Sequence, residues 1–189
     1  MAKRVFFSFH YEDVIRANIV KNHWVAKPDR ETSGFFDGSL QEKEKTYGID
    51  GVKCLIDAGL ENTSNTCVLI GSETYNRKWV KYEIFKSMDK GNYIFGIHIN
   101  ELNEFNSPPK RLGPNPFDYI GIKYNRSTWI PYQGGHNGWW EPFPLIGKIS
   151  FKPPLFNIFS NYVYKLSDFF STQRWVSQNG FDNFSHWIK

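Results

Sequence analysis

The chain has 189 residues, the length of one globular domain, and a net charge of +4. Hydrophobic residues make up 40% of it, enough for a core that needs no disulfide or metal crosslink. It has no run of about 18 apolar residues and no signal-peptide cleavage site near its start, so we expect neither a membrane span nor secretion. We therefore expect a single cytoplasmic domain over residues 1–189.

The charged and metal-binding residue types argue against two classes of partner. Residues 107–189 hold 9 basic and 4 acidic side chains, but these are spread among prolines and aromatics without a Lys/Arg run. We therefore expect no nucleic-acid partner. The five histidines are scattered, and Cys54 and Cys67 lack metal-ligand spacing, so we expect no metal site. We interpret both cysteines as buried thiols of a reducing compartment.

Apolar strand-like runs alternate with helical patterns over the first hundred residues. The pattern predicts strands at 5–9, 34–37, 66–71 and 93–99, and helices at 13–25, 49–60 and 78–88. Strands 5–9 and 67–70 are apolar without alternation, so we expect them to be adjacent and central in the sheet. The alternation predicts an α/β fold of flavodoxin-like topology, with a central parallel sheet and helices on both faces.

The composition changes after residue 106. Nine of the ten prolines lie between Pro108 and Pro154, which predicts a mostly irregular insertion packed against the sheet, with one strand at 118–124. Apolar and aromatic residues at three- and four-residue steps over 155–170 predict C-terminal helices. We expect that stripe to be core; a dimer face or partner groove is the alternative. The expected organisation is a core over 1–106 and an elaboration over 107–189.

Candidate site residues follow the predicted strands, because ligands of open α/β sheets bind outside the carboxyl ends of the strands. The segments 8–13, 37–39 and 71–74 fall there, and we expect a cleft that also includes Glu83. Trp79 and Glu83 are four residues apart, on one helix face. A carboxylate beside an indole can hold a sugar or a base. The alternative is a surface Glu83 paired with Lys86 or Lys81, with Trp79 in the core.

Other chemistries fit the residues less well. Glu12 and Asp13 resemble the acid pair of phosphate-accepting receiver domains, but Gly71 and Ser72 stand where such a domain needs an aspartate. The glycine-rich residues 134–138 lack the Lys-Ser/Thr of a P-loop. No GxSxG elbow supports a Ser-His-Asp triad.

Two sequence boxes resemble those of TIR domains. Residues 5–13, VFFSFHYED, are similar to the first TIR box, an apolar strand ending in Ser-aromatic and followed by acids. Residues 67–75 and 78–84, CVLIGSETY and KWVKYEI, are similar to the strand and helix that end in W-C-x-x-E, with Val80 replacing the usual Cys. These phrases are closer still to the TIR-like proteins of bacterial Thoeris anti-phage systems. Residues 37–40 lack the Pro-Gly of receptor TIR domains, which argues against assembly of the animal type.

The resemblance implies cleavage of the nicotinamide–ribose bond of NAD, with NAD as substrate and no cofactor. Glu83 matches the family's catalytic glutamate. The expected substrate-binding residues are Phe6, Ser8, Phe9, His10, Tyr11, Asp37, Ser72 and Trp79. Internal attack on the sugar cation would give a cyclic ADP-ribose isomer, a diffusible messenger that activates a separate NAD-depleting effector.

Two alternatives remain open at this point. Beside the enzyme, the first is a non-catalytic TIR-like interaction module that binds a partner through its aromatic C-terminal helix. The second is a different nucleotide-binding domain of flavodoxin-like topology. Assembly into a homo-oligomer is compatible with each of these. Substitution of Glu83 distinguishes the enzyme from the interaction module, because an enzyme needs the carboxylate whereas a scaffold tolerates Gln.

Overall fold

A computed structural model describes residues 3–28, 30–33, 37–103, 110–134, 138–153 and 158–189; at residues 3, 32, 33, 37–39, 41 and 42 it describes the backbone alone. In chain order the strands and helices are β1 (Lys3–Phe9), α1 (Val14–Val25), β2 (Arg30–Ser33), α2 (Asp37–Leu60), β3 (Asn65–Ile70), α3 (Lys78–Lys90), β4 (Tyr93–His98), β5 (Ile120–Asn125), β6 (Thr128–Gly134), β7 (Trp140–Pro142), β8 (Val163–Lys165), β9 (Thr172–Arg174) and α4 (Gly180–Trp187).

A parallel five-stranded sheet with the order β2-β1-β3-β4-β9 forms the centre of the structure. β1 pairs with β3 from Val5↔Asn65 to Phe9↔Leu69, and β3 is buried along its whole length. The prediction that these two apolar strands are adjacent and central is confirmed. The second strand was predicted at 34–37, whereas the strand that the structure describes lies before it. β2 is formed by 30–33, a polar RETS segment at the sheet edge, while residues 34–36 lie outside the described part and Asp37 begins α2.

Helices cover both faces of the sheet, as predicted. One core cluster joins Phe6 and Val68 to side chains of α2 and α3, and a second joins Phe7 and Leu69 to side chains of α1 and α4. Because successive strand side chains point to opposite faces, neighbouring residues of β1 enter different clusters. The predicted helix 49–60 is the second half of α2, which bends at Gly48, where φ is +70°. Gly91, with φ of +85°, ends α3.

A second, antiparallel sheet with the order β7-β6-β5-β8 occupies much of the proline-rich region. The predicted strand at 118–124 corresponds to β5, but the expectation of a single strand is wrong, because β6 and β7 follow it. Pro131 and Pro142 lie within β6 and β7 themselves. The apolar residues of β5, Ile120 and Ile122, join the core cluster that contains α3, so the insertion packs on the central domain as expected.

The predicted helix over 155–170 is wrong. Residues 154–157 lie outside the described part, and after them come β8, a short 3₁₀ helix at Leu166–Asp168 and β9. Tyr164 and Leu166 are buried on either side of an exposed Lys165, which is the two-residue period of a strand. Over so short a run, the same apolar residues also fit the three- and four-residue spacing of a helix. Ile158, Phe159 and Tyr162, expected in the core, are exposed.

The end of the chain returns to the central sheet. β9 pairs in parallel with β4, from Gly96↔Thr172 to His98↔Arg174, and α4 packs on the same face as α1. Among the described residues after 107, α4 is the single α-helix where several were expected. None of the described helices combines the length and apolar character needed to cross a membrane. Cys67 is buried as expected, whereas Cys54 is exposed, which corrects the interpretation of that thiol.

Phe184 of α4 is the residue through which the C-terminal helix joins the core. Its ring is 0% exposed and contacts the rings of Phe7, Trp24, Phe95 and Trp175. Phe184→Ala is expected to lower the free energy of unfolding by about 3–5 kcal/mol, because it leaves a cavity in the core. Urea denaturation followed by tryptophan fluorescence measures the change.

The matched control for this substitution is Phe181→Ala. Phe181 lies on the same helix and also contacts Trp175, but its ring is 48% exposed, so its removal leaves little buried space. Equal losses of stability in the two variants would contradict the packing assigned to α4.

Candidate functional site

The carboxyl ends of β1, β3 and β4 lie side by side, as the parallel register requires. Phe9 pairs with Leu69, and Ile70 pairs with His98. The connections that leave these strands therefore meet at one edge of the sheet, which is where α/β proteins bind ligands. The first is the short 3₁₀ helix Tyr11–Asp13, and the second begins at Gly71.

The centre of this edge is a hydrogen bond between a strand and a helix. The hydroxyl of Ser8, next to last in β1, donates to Oε2 of Glu83 on α3 over 2.5 Å. That length is typical of an O–H···O⁻ bond. Glu83 is 1% exposed, so its carboxylate is closed off from solvent and does not line an open cleft as we expected. The alternative of a surface Glu83 is also wrong.

The lysines considered as partners of Glu83 bind elsewhere. Lys86 lies 3.5 Å from Asp57 and 3.8 Å from Asp89, and Lys81 donates to Gln133. Glu83 therefore belongs to the sheet-facing side of α3, and its contact with Ser8 places it at the carboxyl edge, as predicted.

Three of the predicted aromatic site residues lie in the core. Phe6 is on the α3 side of β1, the side from which Ser8 reaches Glu83, whereas Phe9 is on the opposite face with the Lys21 ammonium 5.3 Å from its ring centre. Trp79 is fully buried, and its indole N–H donates to Glu44 of α2 over 2.9 Å. The structure thus brings Phe6 and Ser8 to one face and separates Phe9 from them.

His10 and Tyr11 lie where β1 ends. His10 is buried with its ring centre 5.3 Å from that of Tyr11, and its Nε2 is 3.7 Å from a carboxylate oxygen of Glu12. The ring of Tyr11 is half exposed and is the predicted aromatic residue that reaches solvent at this edge. Asp37 is the first residue of α2, and its side chain lies outside the described part of the structure.

Ser72 is held by the start of the insertion. Its Oγ accepts a hydrogen bond from Asn100 Nδ2 over 3.1 Å, and Asn100 Oδ1 accepts from the backbone N–H of Gly113 over 3.2 Å. A Cβ at Gly113 would lie 1.9 Å from the carbonyl oxygen of Gly71, so the two segments are in direct backbone contact. Sequence reasoning missed Asn100. Its position two residues after the end of β4 was the available signal.

A buried charged pair supports the same edge and was also missed. Asp13 and Arg16 are both buried, with Arg16 Nη1 3.9 Å from Asp13 Oδ1 and Arg16 Nε donating to the carbonyl of Leu102 over 2.9 Å. The Asp13 carboxylate lies against the Cα of Gly71, since a Cβ there would be 1.8 Å from Oδ2. The connections after β1, β3 and β4 are therefore tied together by polar contacts.

Substitution of Gly71 tests the close approach of the Asp13 carboxylate to its Cα. Gly71→Ala is expected to lower the free energy of unfolding by about 1–3 kcal/mol, because the methyl group overlaps a carboxylate that is itself buried. Gly147→Ala is the matched control, since a Cβ at Gly147 meets nothing within 4 Å, and its effect should stay within about 0.5 kcal/mol. Thermal and urea unfolding of both variants give the comparison; equal stabilities would contradict the contact.

The arrangement at this edge suits stabilisation of positive charge. It offers the Glu83 carboxylate, oriented by a hydroxyl and removed from water, where electrostatic interactions are stronger than in bulk solvent. The described residues contain no cluster of His, Cys, Asp and Glu with the makings of a metal site. A cationic sugar is the kind of group that such a carboxylate stabilises.

Comparison with known proteins shows the family of the chain. The family model described as "Thoeris protein ThsB, TIR-like domain" matches residues 6–104, which include both Ser8 and Glu83. A protein of Bacillus cereus (strain MSX-D12), named "Putative cyclic ADP-D-ribose synthase ThsB1", is 44% identical over 191 residues that cover 100% of both chains. These matches, together with the parallel sheet and its flanking helices, show that the chain belongs to the TIR-like domain family of the Thoeris protein ThsB.

Proposed function

We propose that this chain cleaves the nicotinamide–ribose bond of NAD and closes the product into a cyclic ADP-ribose isomer. The observation that carries the proposal is the Glu83 carboxylate, held by Ser8 at 2.5 Å at the carboxyl edge of a TIR-like sheet. The name of the full-length relative, a cyclic ADP-D-ribose synthase, supports the same reaction.

The chemistry follows from the charge that develops on the sugar. When the C1′–N bond of NAD breaks, the bonding electron pair leaves with the pyridinium nitrogen, so nicotinamide departs neutral and the ribose becomes an oxocarbenium-like cation. The Glu83 carboxylate stabilises that cation, and the Ser8 hydroxyl fixes its orientation. Attack by a nucleophile of the same molecule closes a ring, whereas attack by water gives ADP-ribose. Exclusion of water therefore favours the cyclic product.

Access to Glu83 requires movement of the residues around it. At 1% exposure the carboxylate contacts a ribose only after neighbouring side chains shift. The connection at His10 and Tyr11 lies beside it, and the half-exposed ring of Tyr11 is suited to stacking on a nicotinamide or adenine ring. The roles of Phe6, Phe9, Asp37, Ser72 and Trp79 in substrate binding remain predictions.

The cellular role proposed for the product is that of a messenger. A diffusible cyclic nucleotide made in the cytoplasm would activate a separate NAD-depleting effector in anti-phage defence, so the synthase itself would need to consume only a little NAD. Assembly of the chain with itself, and the effector as its functional partner, belong to this proposal.

Substitution of Glu83 tests the chemical step. Glu83→Gln keeps the shape of the side chain and removes its charge, and it is expected to lower the rate of nicotinamide release by ~10²–10³-fold. Glu73→Gln, at an exposed glutamate in the connection after β3, should leave the rate unchanged. Mass spectrometry of nicotinamide and cyclic product, with circular dichroism to verify folding, gives the readout. A folded Glu83→Gln variant with full activity would refute the assignment.

A filtrate experiment separates messenger synthesis from binding by contact. Lysate from infected cells that express the chain is filtered to remove macromolecules and added to a purified effector NADase. The wild-type filtrate should activate the effector, and the Glu83→Gln filtrate should not. Activation by the intact protein alone, with an inactive filtrate, would favour the non-catalytic interaction module.

A further inference from the structure

A cavity of about 300 Å³ lies between α3, the connection after β3 and the antiparallel sheet. Ligand pockets in proteins start at about this size. Its described lining consists of Tyr75, Asn76, Lys81, Tyr119, Gln133, Gly134 and Glu141. The last four come from the region beyond residue 104, where the family match ends.

This cavity is distinct from the Glu83 site. Lys81 precedes Glu83 by two residues, which turns its side chain about 200° around α3. Glu83 faces β1 and reaches Ser8, while Lys81 faces β6 and reaches Gln133. The same helix thus presents a carboxylate to the sheet and an ammonium to the insertion.

Lys81 gives the described lining of the cavity its positive charge. It is 7% exposed, and its burial lowers the pKa of the ammonium, an effect that the nearby Glu141 carboxylate opposes. An ammonium has three N–H donors, and the acceptor that the described residues give it is Gln133 Oε1 at 3.4 Å, a long hydrogen bond. Glu141 acts on Lys81 through charge, but the described contacts include no ion pair between the two side chains, so the ammonium keeps N–H donors for an anionic ligand.

The other walls supply different chemistry. The rings of Tyr75 and Tyr119 lie 4.7 Å apart between centres, and Tyr119 remains 39% exposed, which leaves ring surface for stacking. Gln133 Nε2 donates to Glu141 Oε1 over 2.8 Å, which fixes an exposed carboxylate at the rim. A carboxylate accepts hydrogen bonds from hydroxyl groups, and those of a ribose fit this role.

We propose that this cavity binds a nucleoside monophosphate, with its phosphate on Lys81, its base on Tyr119 and its ribose hydroxyls on Glu141. These three groups occur together in a nucleotide, and a simple anion would use Lys81 alone. Tyr75 and Asn76 of its lining belong to the connection after β3, which also contains Gly71 and Ser72.

Calorimetric titration with AMP tests the phosphate contact. Lys81→Met is expected to weaken AMP binding about tenfold or more, because it removes a charge-assisted hydrogen bond, and to leave the weaker binding of adenosine unchanged. Lys86→Met is the matched control, since Lys86 lies on the same helix and pairs with Asp57 and Asp89. AMP affinity that is equal in the Lys81→Met and wild-type proteins, or AMP binding too weak to detect, would overturn the proposal.

Photolabelling locates the bound nucleotide. 8-Azido-AMP should label a peptide that contains Tyr75 or Tyr119, and Tyr119→Leu should weaken both AMP and adenosine binding, an effect that inorganic phosphate does not show. Labelling at residues 8–11 instead would place AMP at the Glu83 edge and overturn the second site. Because neither readout uses NAD cleavage, the outcome is independent of the proposed function, and melting temperatures of the variants verify that they fold.

Discussion

The buried carboxylate of Glu83 is the constraint on which the site depends. A carboxylate at 1% exposure loses its hydration, and its hydrogen bond from Ser8 offsets part of that loss. The bond forms because β1 and α3 are fixed against each other by one core cluster, which includes Phe6 of the strand and Phe85 and Ile84 of the helix. The free energy that positions the catalytic candidate therefore comes largely from the apolar packing around it.

The insertion is coupled to that edge and is not a separate appendage. Gly113 approaches the backbone of Gly71 closely, and Asn100 bridges the two segments through both of its side-chain atoms. At the other end, β9 and α4 complete the central sheet and its second core cluster. The family match over 6–104 thus includes Ser8 and Glu83, while Gly113, beyond residue 107, contacts the edge that holds them.

The parts of the structure that could be predicted are those whose local sequence signals all indicate the same element. β1, β3 and α3 were predicted because their apolar runs and stop signals agree, and Glu83 because its spacing from Trp79 matches a known box. β2 was misplaced because an edge strand of polar residues carries no hydrophobic pattern. The Asp13–Arg16 pair was missed because only tertiary packing makes an arginine buried. The antiparallel sheet was missed because prolines were taken as evidence against strands. Pro142 ends an edge strand, where proline is accepted, but Pro131 lies in the middle of β6, an inner strand.

Helix α3 contains two buried residues of opposite charge. It places two charged groups of opposite sign on opposite faces, Glu83 toward the sheet and Lys81 toward the insertion, and both are almost completely buried. Helices of ordinary domains expose such residues, because burying each of them costs free energy. Glu83 has a fixed hydroxyl donor at 2.5 Å, whereas Lys81 has a long hydrogen bond beside a cavity. The way each buried charge is compensated thus distinguishes the proposed reaction site at Glu83 from the proposed anion site at Lys81.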